Sequence, residues 1–204
     1  MGRVKYPRTL HLPFSPGKTD DDKVMKHDPF IGKDVVVSRK MDGENFTGYP
    51  DGCHARSIDG KYHWTRTWAR NYWMERAYKL NKNQRVCAEN LYATHSIEYN
   101  DLESYLLVFS AWEENLCLSW DKTLDLVERL ELNTVPVIYQ GIWDKDHVMS
   151  MHDDSHEGFV VRVSDEFHIK DFGQCVGKYV RKNHVQTETH WMHSNIKLNK
   201  MKGK

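Results

Sequence analysis

Asp34-Val35-Val36-Val37-Ser38-Arg39-Lys40-Met41-Asp42-Gly43-Glu44-Asn45 is the stretch on which the fold of this chain turns. Three consecutive valines are β-branched and stiff at χ1, so the run from Lys33 to Met41 predicts a buried strand. Asp42-Gly43 is a turn dipeptide and predicts a hairpin into a second strand near Phe46 to Tyr49. Asp51-Gly52 turns the chain again toward a strand near His54 to Ile58, and Asp59-Gly60 makes a further turn. Strands separated by Asp-Gly turns predict an antiparallel sheet. Lys40 stands at the strand end, just before the first turn. Burial there would lower its pKa, because the ammonium loses hydration, and a neutral amine is a nucleophile. Lys-X-Asp-Gly is also an ordinary hairpin, so the motif needs company to carry chemistry.

Working outward, Pro7, Pro13, Pro16 and Pro29 forbid a continuous helix in the first thirty residues, and Asp20-Asp21-Asp22 reads as a solvated turn. Thr67 to Asn81 lacks Pro and Gly and predicts a helix. Arg85 to Tyr92 and Tyr105 to Trp112 predict central strands. Ser119 can cap a helix running to about Leu132, with Trp120, Leu124, Val127 and Leu130 as its buried stripe. Thr134 to Tyr139, Gly158 to Val163 and Cys175 to Val180 predict three more strands. The tail from Ile196 to Lys204 holds four lysines and reads as a frayed, solvated end. No linker or repeat divides the chain. The expectation is a single α+β domain over residues 1–204, with mostly antiparallel sheets flanked by helices.

Composition narrows the function classes. Hydrophobic residues at 39% and charged residues at 28% are globular values. Twenty-nine basic residues against 29 acidic leave no net charge, so nucleic acid would be a transient substrate on a local patch. Cys53, Cys87, Cys117 and Cys175 form no CxxC pair, which argues against a zinc ribbon. Without a leader or long apolar span, these thiols point to a reducing, cytoplasmic setting and no membrane partner. His152 with His156 and His190 with His193 lack an HExxH pattern, and hydrogen-bonding histidines are the better reading.

Further side chains keep company with Lys40. Glu89 lies inside an apolar strand, where a carboxylate is rare unless it is paired or used, although a wet strand face fits equally well. Glu157-Gly158 opens the strongly apolar run Phe159-Val160-Val161. In Val176-Gly177-Lys178-Tyr179-Val180-Arg181-Lys182 cations alternate with apolar residues, as on a strand facing an anion or on a lysine-protected edge. A nucleophilic lysine, two strand carboxylates and a basic strand are the parts that nucleotidyl transfer needs.

From about residue 33 to 186 the order of these elements resembles the covalent nucleotidyltransferases, the polynucleotide ligases and mRNA capping enzymes. Lys40 to Asn45 resembles their KxDG motif, and His54-Ala55-Arg56-Ser57 the element with a phosphate-contacting arginine. Glu89-Asn90 resembles the third motif, Tyr105 to Phe109 the strand whose aromatic covers the base, Glu157-Gly158 the fourth motif and Lys178 the start of the fifth. The strings Thr9 to Gly17, Glu89 to Ile97 and Lys178 to Thr187 are most similar to ATP-dependent RNA ligases of the RNA ligase 2 type, small phage and bacterial members included.

That resemblance implies an adenylation-domain fold and a set of roles. Lys40 would attack the α-phosphate of ATP and carry AMP. Asn45 and Arg56 would contact phosphate. Glu89 would hold the ribose or a metal-bound water, and Phe109 would stack on adenine. Glu157 would bind Mg²⁺, with Mn²⁺ as a substitute, and Lys178 would neutralise the α-phosphate. The partners would be ATP and, transiently, RNA ends, with the protein a monomer. Arg39 stands where many relatives have Glu, and Val180 where the fifth motif has a second lysine, so Arg181 or Lys182 would supply that charge. Little chain follows residue 190, which leaves no room for an OB-type domain. A DNA-joining ligase with the same chemistry and a non-catalytic nucleotide- or RNA-end-binding relative are the alternatives.

Overall fold

The computed structural model describes residues 2–153, 155–182, 184 and 196–203. Among these the chain runs β1 (Leu10–His11), β2 (Asp34–Arg39), β3 (Glu44–Tyr49), β4 (Gly52–Ala55), α1 (Thr67–Met74), β5 (Gln84–Asn90), β6 (Leu106–Glu113) and β7 (Leu116–Cys117). It continues with α2 (Trp120–Arg129), β8 (Asn133–Thr134), β9 (Val137–Ile142), α3 (Lys145–Ser150), β10 (Gly158–Val163), β11 (Phe167–His168), α4 (Phe172–Cys175) and β12 (Val176–Val180). The strands form two sheets. One has the order β1-β12-β10-β2-β9, and the other β11-β7-β6-β5-β3-β4 with β8 beside β6. Pairing is antiparallel except at β1/β12 and β6/β8. The chain is therefore α+β with mainly antiparallel sheets, as the sequence predicts. No helix among the described residues is long and apolar enough to cross a membrane.

Asp42-Gly43 does not close a hairpin. It carries the chain from β2 in the first sheet to β3 in the second, and only Asp51-Gly52 joins a paired hairpin, β3 to β4. A turn dipeptide specifies a local reversal, but which strand pairs next depends on partners distant in sequence. Asp59-Gly60 likewise leads into a 3-10 turn at Trp64–Arg66 and then α1, not into a strand. The predicted helix over Thr67 to Asn81 ends at Met74, with a separate 3-10 turn at Ala77–Lys79. The apolar run predicted over Thr134 to Tyr139 is split between sheets, β8 pairing with β6 and β9 with β2. Pro136 sits at the break, where its missing N–H costs nothing and its carbonyl accepts Arg39 N at 2.8 Å.

Helix α2 is capped as expected, Ser119 Oγ accepting Lys122 N at 3.3 Å. Its buried side chains are Trp120, Thr123, Leu126 and Val127, with Leu130 just beyond, whereas Leu124 is 39% exposed. At 100° per residue Leu124 falls roughly 95° from the centre of that stripe, so it rides the rim. Together with α1, the helix covers one face of the second sheet, where Phe46, Val86, Ala88, Leu106 and Val108 pack on Trp73 and Leu126. On the first sheet the directly paired Val37 and Val161, with Val35, Phe159 and Val163, pack beneath Leu12, Phe30, Trp143 and Val148.

The tail is not frayed over its described part. Leu198 bridges Ala93, and Met201 bridges Leu102. Asn199 is 2% exposed, its amide donating to Leu91 O at 2.8 Å and its Oδ1 accepting Tyr99 N at 2.9 Å and the Thr94 hydroxyl at 2.8 Å. Lysine spacing indicates a wet surface, and it does not reveal that the residue between two lysines is a buried clamp.

Candidate active site

Strand periodicity builds one wall of a cleft between the sheets. If Val35 and Val37 face outward, Val36, Ser38 and then Lys40 must face the other way. The register places Val160 beside Ser38 and Lys178, and Arg162 beside Val36 and Val176. Those seven residues line a cavity of about 450 Å³, and Asn45 of β3, Glu89 of β5 and Phe109 of β6 line it from the second sheet. Arg56, just beyond β4, lines it too.

Lys40 is held at both ends. Its N–H donates to Gly158 O at 3.0 Å, and its Nζ donates to Glu157 Oε2 at 2.6 Å. The link that follows is pinned as well. Asp42 N donates to Tyr99 Oη at 3.0 Å, Asp42 Oδ2 accepts Ser96 N at 2.7 Å and Ile97 N at 2.9 Å, and Gly43 N donates to Glu89 Oε1 at 3.2 Å. The segment predicted to be a hairpin turn is thus fixed by the loop after β5, which Asn199 clamps from behind.

The electrostatics correct one expectation. Burial by itself would lower the Lys40 pKa, but the charges of Glu157, Glu89 and Asp42 outweigh it and raise the pKa above its ordinary value. Glu89 moves the other way from an ordinary carboxylate. Burial, against the opposing pull of Lys40, pushes it up to about 8. Burial and the Lys40 charge lower Lys178.

Of the residues singled out from sequence, the structure brings Lys40, Asn45, Arg56, Glu89, Phe109 and Lys178 to the cavity wall, with Glu157 bonded to Lys40 behind it. Arg181 and Lys182 are not in that wall. Arg181 Nε instead donates to His156 O at 3.0 Å. Arg39, just before Lys40, turns its guanidinium to His156. Asn45 Oδ1 is buried with no hydrogen-bond partner among the described residues, as expected of a group kept for a ligand.

Two carboxylates need reassignment. Asp22, read as part of a solvated turn, has a side chain only 9% exposed that lines the cavity, with Oδ1 3.3 Å from His11 Nε2 and 3.7 Å from Lys178 Nζ. Burial would raise its pKa, but hydrogen bonds from Thr19 and the neighbouring cations bring it to about 2. A triplet of aspartates says nothing about which member the fold turns inward. Glu89, expected to share a metal with Glu157, is not in the cluster that has ligand spacing. Asp42, Glu157 and His184 place one ligand atom each within 4.8 Å of one another. Tyr6, Arg8 and Arg162 also line the cavity and carried no signal beyond residue type. Asn183, Val185, Gln186, Thr187, His190 and His193 lie outside the described residues.

The sequence model of the RNA ligase family matches residues 33–180. No curated protein matches the chain in sequence. Among solved structures, the Naegleria gruberi RNA ligase with PPi superposes with a TM-score of 0.57 at 22% identity, covering 76% of this chain and 51% of that one. A variant of the same ligase with ATP and Mn gives a TM-score of 0.56 at 19% identity, covering 83% and 57%. At these identities the likeness is one of fold, and the chain spans little more than half the length of those proteins.

Proposed function

Because the chain belongs to the RNA ligase family, we propose that it joins RNA ends in an ATP-dependent reaction, carrying AMP on Lys40 within a nucleotidyltransferase domain formed by residues 1–204. The observation that carries this reading is the 2.6 Å contact of Lys40 Nζ with Glu157 Oε2 at the wall of a cavity shared with Lys178, Asn45, Arg56, Glu89 and Phe109. The cavity volume suits a nucleotide. The ATP and Mn held by the N. gruberi ligase support the same ligand classes for this chain.

In the first step Lys40 Nζ attacks the α-phosphorus. A P–N bond forms as the bond to pyrophosphate breaks, and its electron pair leaves on the pyrophosphate oxygen. The lysine proton must depart first, and Glu157 Oε2 is the acceptor in hydrogen-bond reach. Lys178 and Arg56 then face the charged oxygens, and the Phe109 ring offers a stacking face to the base. In the second step a 5′-phosphate oxygen attacks the same phosphorus, and the lysine amine leaves and is reprotonated. In the third step a 3′-hydroxyl displaces AMP. A divalent cation, Mg²⁺ or Mn²⁺, would sit with Glu157 and Asp42, whose carboxylates suit either ion, with His184 a ligand that Mn²⁺ accepts more readily than Mg²⁺, and would supply charge neutralisation on the phosphate oxygens.

The test is label transfer from ATP labelled on the α-phosphate, read on a denaturing gel. The wild-type protein is expected to carry label with Mg²⁺ or Mn²⁺ present, and Lys40→Ala to carry none. An unlabelled wild type, folded and free of prior AMP by mass, would replace the reading with a non-catalytic one.

A further inference from the structure

A second hollow of about 410 Å³ lies on the other side of Asn45, which lines both cavities. Its wall is the β3–β4 hairpin, the loop after it and the exposed side of α1, with Ser57, Lys61, Tyr62, Arg66 and Arg70 along it. Arg56, at the wall of the first cavity, is the chain neighbour of Ser57 in the second, so the two hollows adjoin at that point. Nothing in the chemistry proposed above uses this second hollow.

Its charge is lopsided in a chain with no net charge. Arg66 is spent on structure. It holds Glu44 in a two-pronged pair at 2.8 and 2.5 Å and caps the loop by donating to Lys61 O at 2.7 Å. Arg3 is likewise paired with Asp51 at 2.8 Å. Arg56, Lys61 and Arg70 are exposed, and among the described residues no carboxylate pairs with them. Beside these cations in the lining stands the Tyr62 ring at 67% exposure, and Trp64, two residues on and 47% exposed, packs on His63 and Tyr92 outside the lining. Free cations interleaved with exposed rings are what a single nucleic-acid strand requires, phosphates on the cations and bases on the ring faces. A solvated charged rim would explain the cations and leave the exposed Tyr62 ring unexplained.

We propose that this groove holds the 5′-phosphorylated RNA strand, with its terminal phosphate at Arg56 and Asn45 and its following nucleotides on Lys61, Tyr62 and Arg70. The proposal rests on the ligase reading and adds the surface that delivers the end to the adenylylated lysine. It also explains how a neutral protein addresses a polyanion: the positive charge is concentrated where the strand must lie.

The experiment measures anisotropy of a fluorescent 5′-phosphorylated RNA against salt, alongside AMP loading of the same protein. The double variant Lys61→Ala/Arg70→Ala is expected to weaken RNA binding about tenfold and to lower the salt slope by about 1.4, two phosphate contacts on a single strand. Tyr62→Ala should weaken binding at least about fivefold with the slope unchanged, because stacking releases no counterions. AMP loading should stay at the wild-type level in all of these variants. Wild-type affinity and slope in the double variant would overturn the groove, as would the absence of RNA binding by the wild type. Loading absent in every protein, with RNA binding still dependent on Lys61 and Arg70, would keep the groove and remove the ligase reading.

Discussion

At the scale of single residues, the site is a set of titratable groups that shift one another. Lys40 is the only amine bonded to Glu157 among the described residues, so Lys40→Ala should abolish AMP loading. Lys40→Arg should fail as completely, because a guanidinium stays protonated and cannot attack. Label on either variant would show that another group carries AMP. Glu89 gives a pH signature. Its folded-state pKa, about 8, lies above the 4.5 of an ordinary glutamate, so the unfolded chain releases the proton more readily. The stability it lends is whole below pH 4.5 and is lost as pH rises through about 8. Glu89→Gln can still accept from Gly43 N and cannot ionise, so its melting temperature should gain on wild type steadily across that window. A difference that does not change with pH would contradict the assigned shift. Lys40, Glu89 and Glu157 were legible in sequence because each is an ionisable residue where an apolar run makes one costly. Asp22 was not, since a polar neighbourhood hides an inward-facing carboxylate.

At the scale of elements, two glycines allow strands and helices to approach where a side chain would intervene. Gly158 joins Glu157 to β10 with φ at 153°, and a Cβ there would collide with the Tyr179 carbonyl of β12. Gly158→Ala should cost about 3 kcal/mol or more in chemical denaturation, since both backbone strain and a backbone collision oppose it. A loss under about 1 kcal/mol would mean that β10 and β12 can part without penalty. Gly48 lies flat against the Trp73 indole, whose Nε1 donates to Tyr49 O at 3.0 Å and Gly52 O at 3.2 Å. Gly48→Ala should loosen α1 from the β3–β4 hairpin. The expected readout is a red-shifted tryptophan emission together with a lower denaturation midpoint. The strands themselves were visible from their apolar runs. The boundary of α1 was not, because the chain leaves the helix after Met74 with neither Pro nor Gly to announce it.

At the scale of the whole molecule, the segment that carries Lys40 is braced by the far end of the described chain. Asn199 clamps Leu91, Thr94 and Tyr99, and Tyr99 with Ser96 and Ile97 holds Asp42. Asn199→Ala strands several buried polar groups and should cost about 2–4 kcal/mol. It should also slow AMP loading while leaving the affinity for ATP nearly unchanged. Full loading rate with only the stability loss would mean that the clamp does not reach the lysine. Sequence alone determined the strand at Asp34–Arg39, the place of Lys40 at its end and the order of the carboxylates and cations after it. These follow from residue type and a period of two, which act over a few neighbours. Only the tertiary structure decided that Asp42-Gly43 crosses between sheets, that Asp22 faces the cavity and that the tail is a buttress. Each of those turns on pairing between residues far apart in the chain, where burial against a distant partner outweighs local propensity.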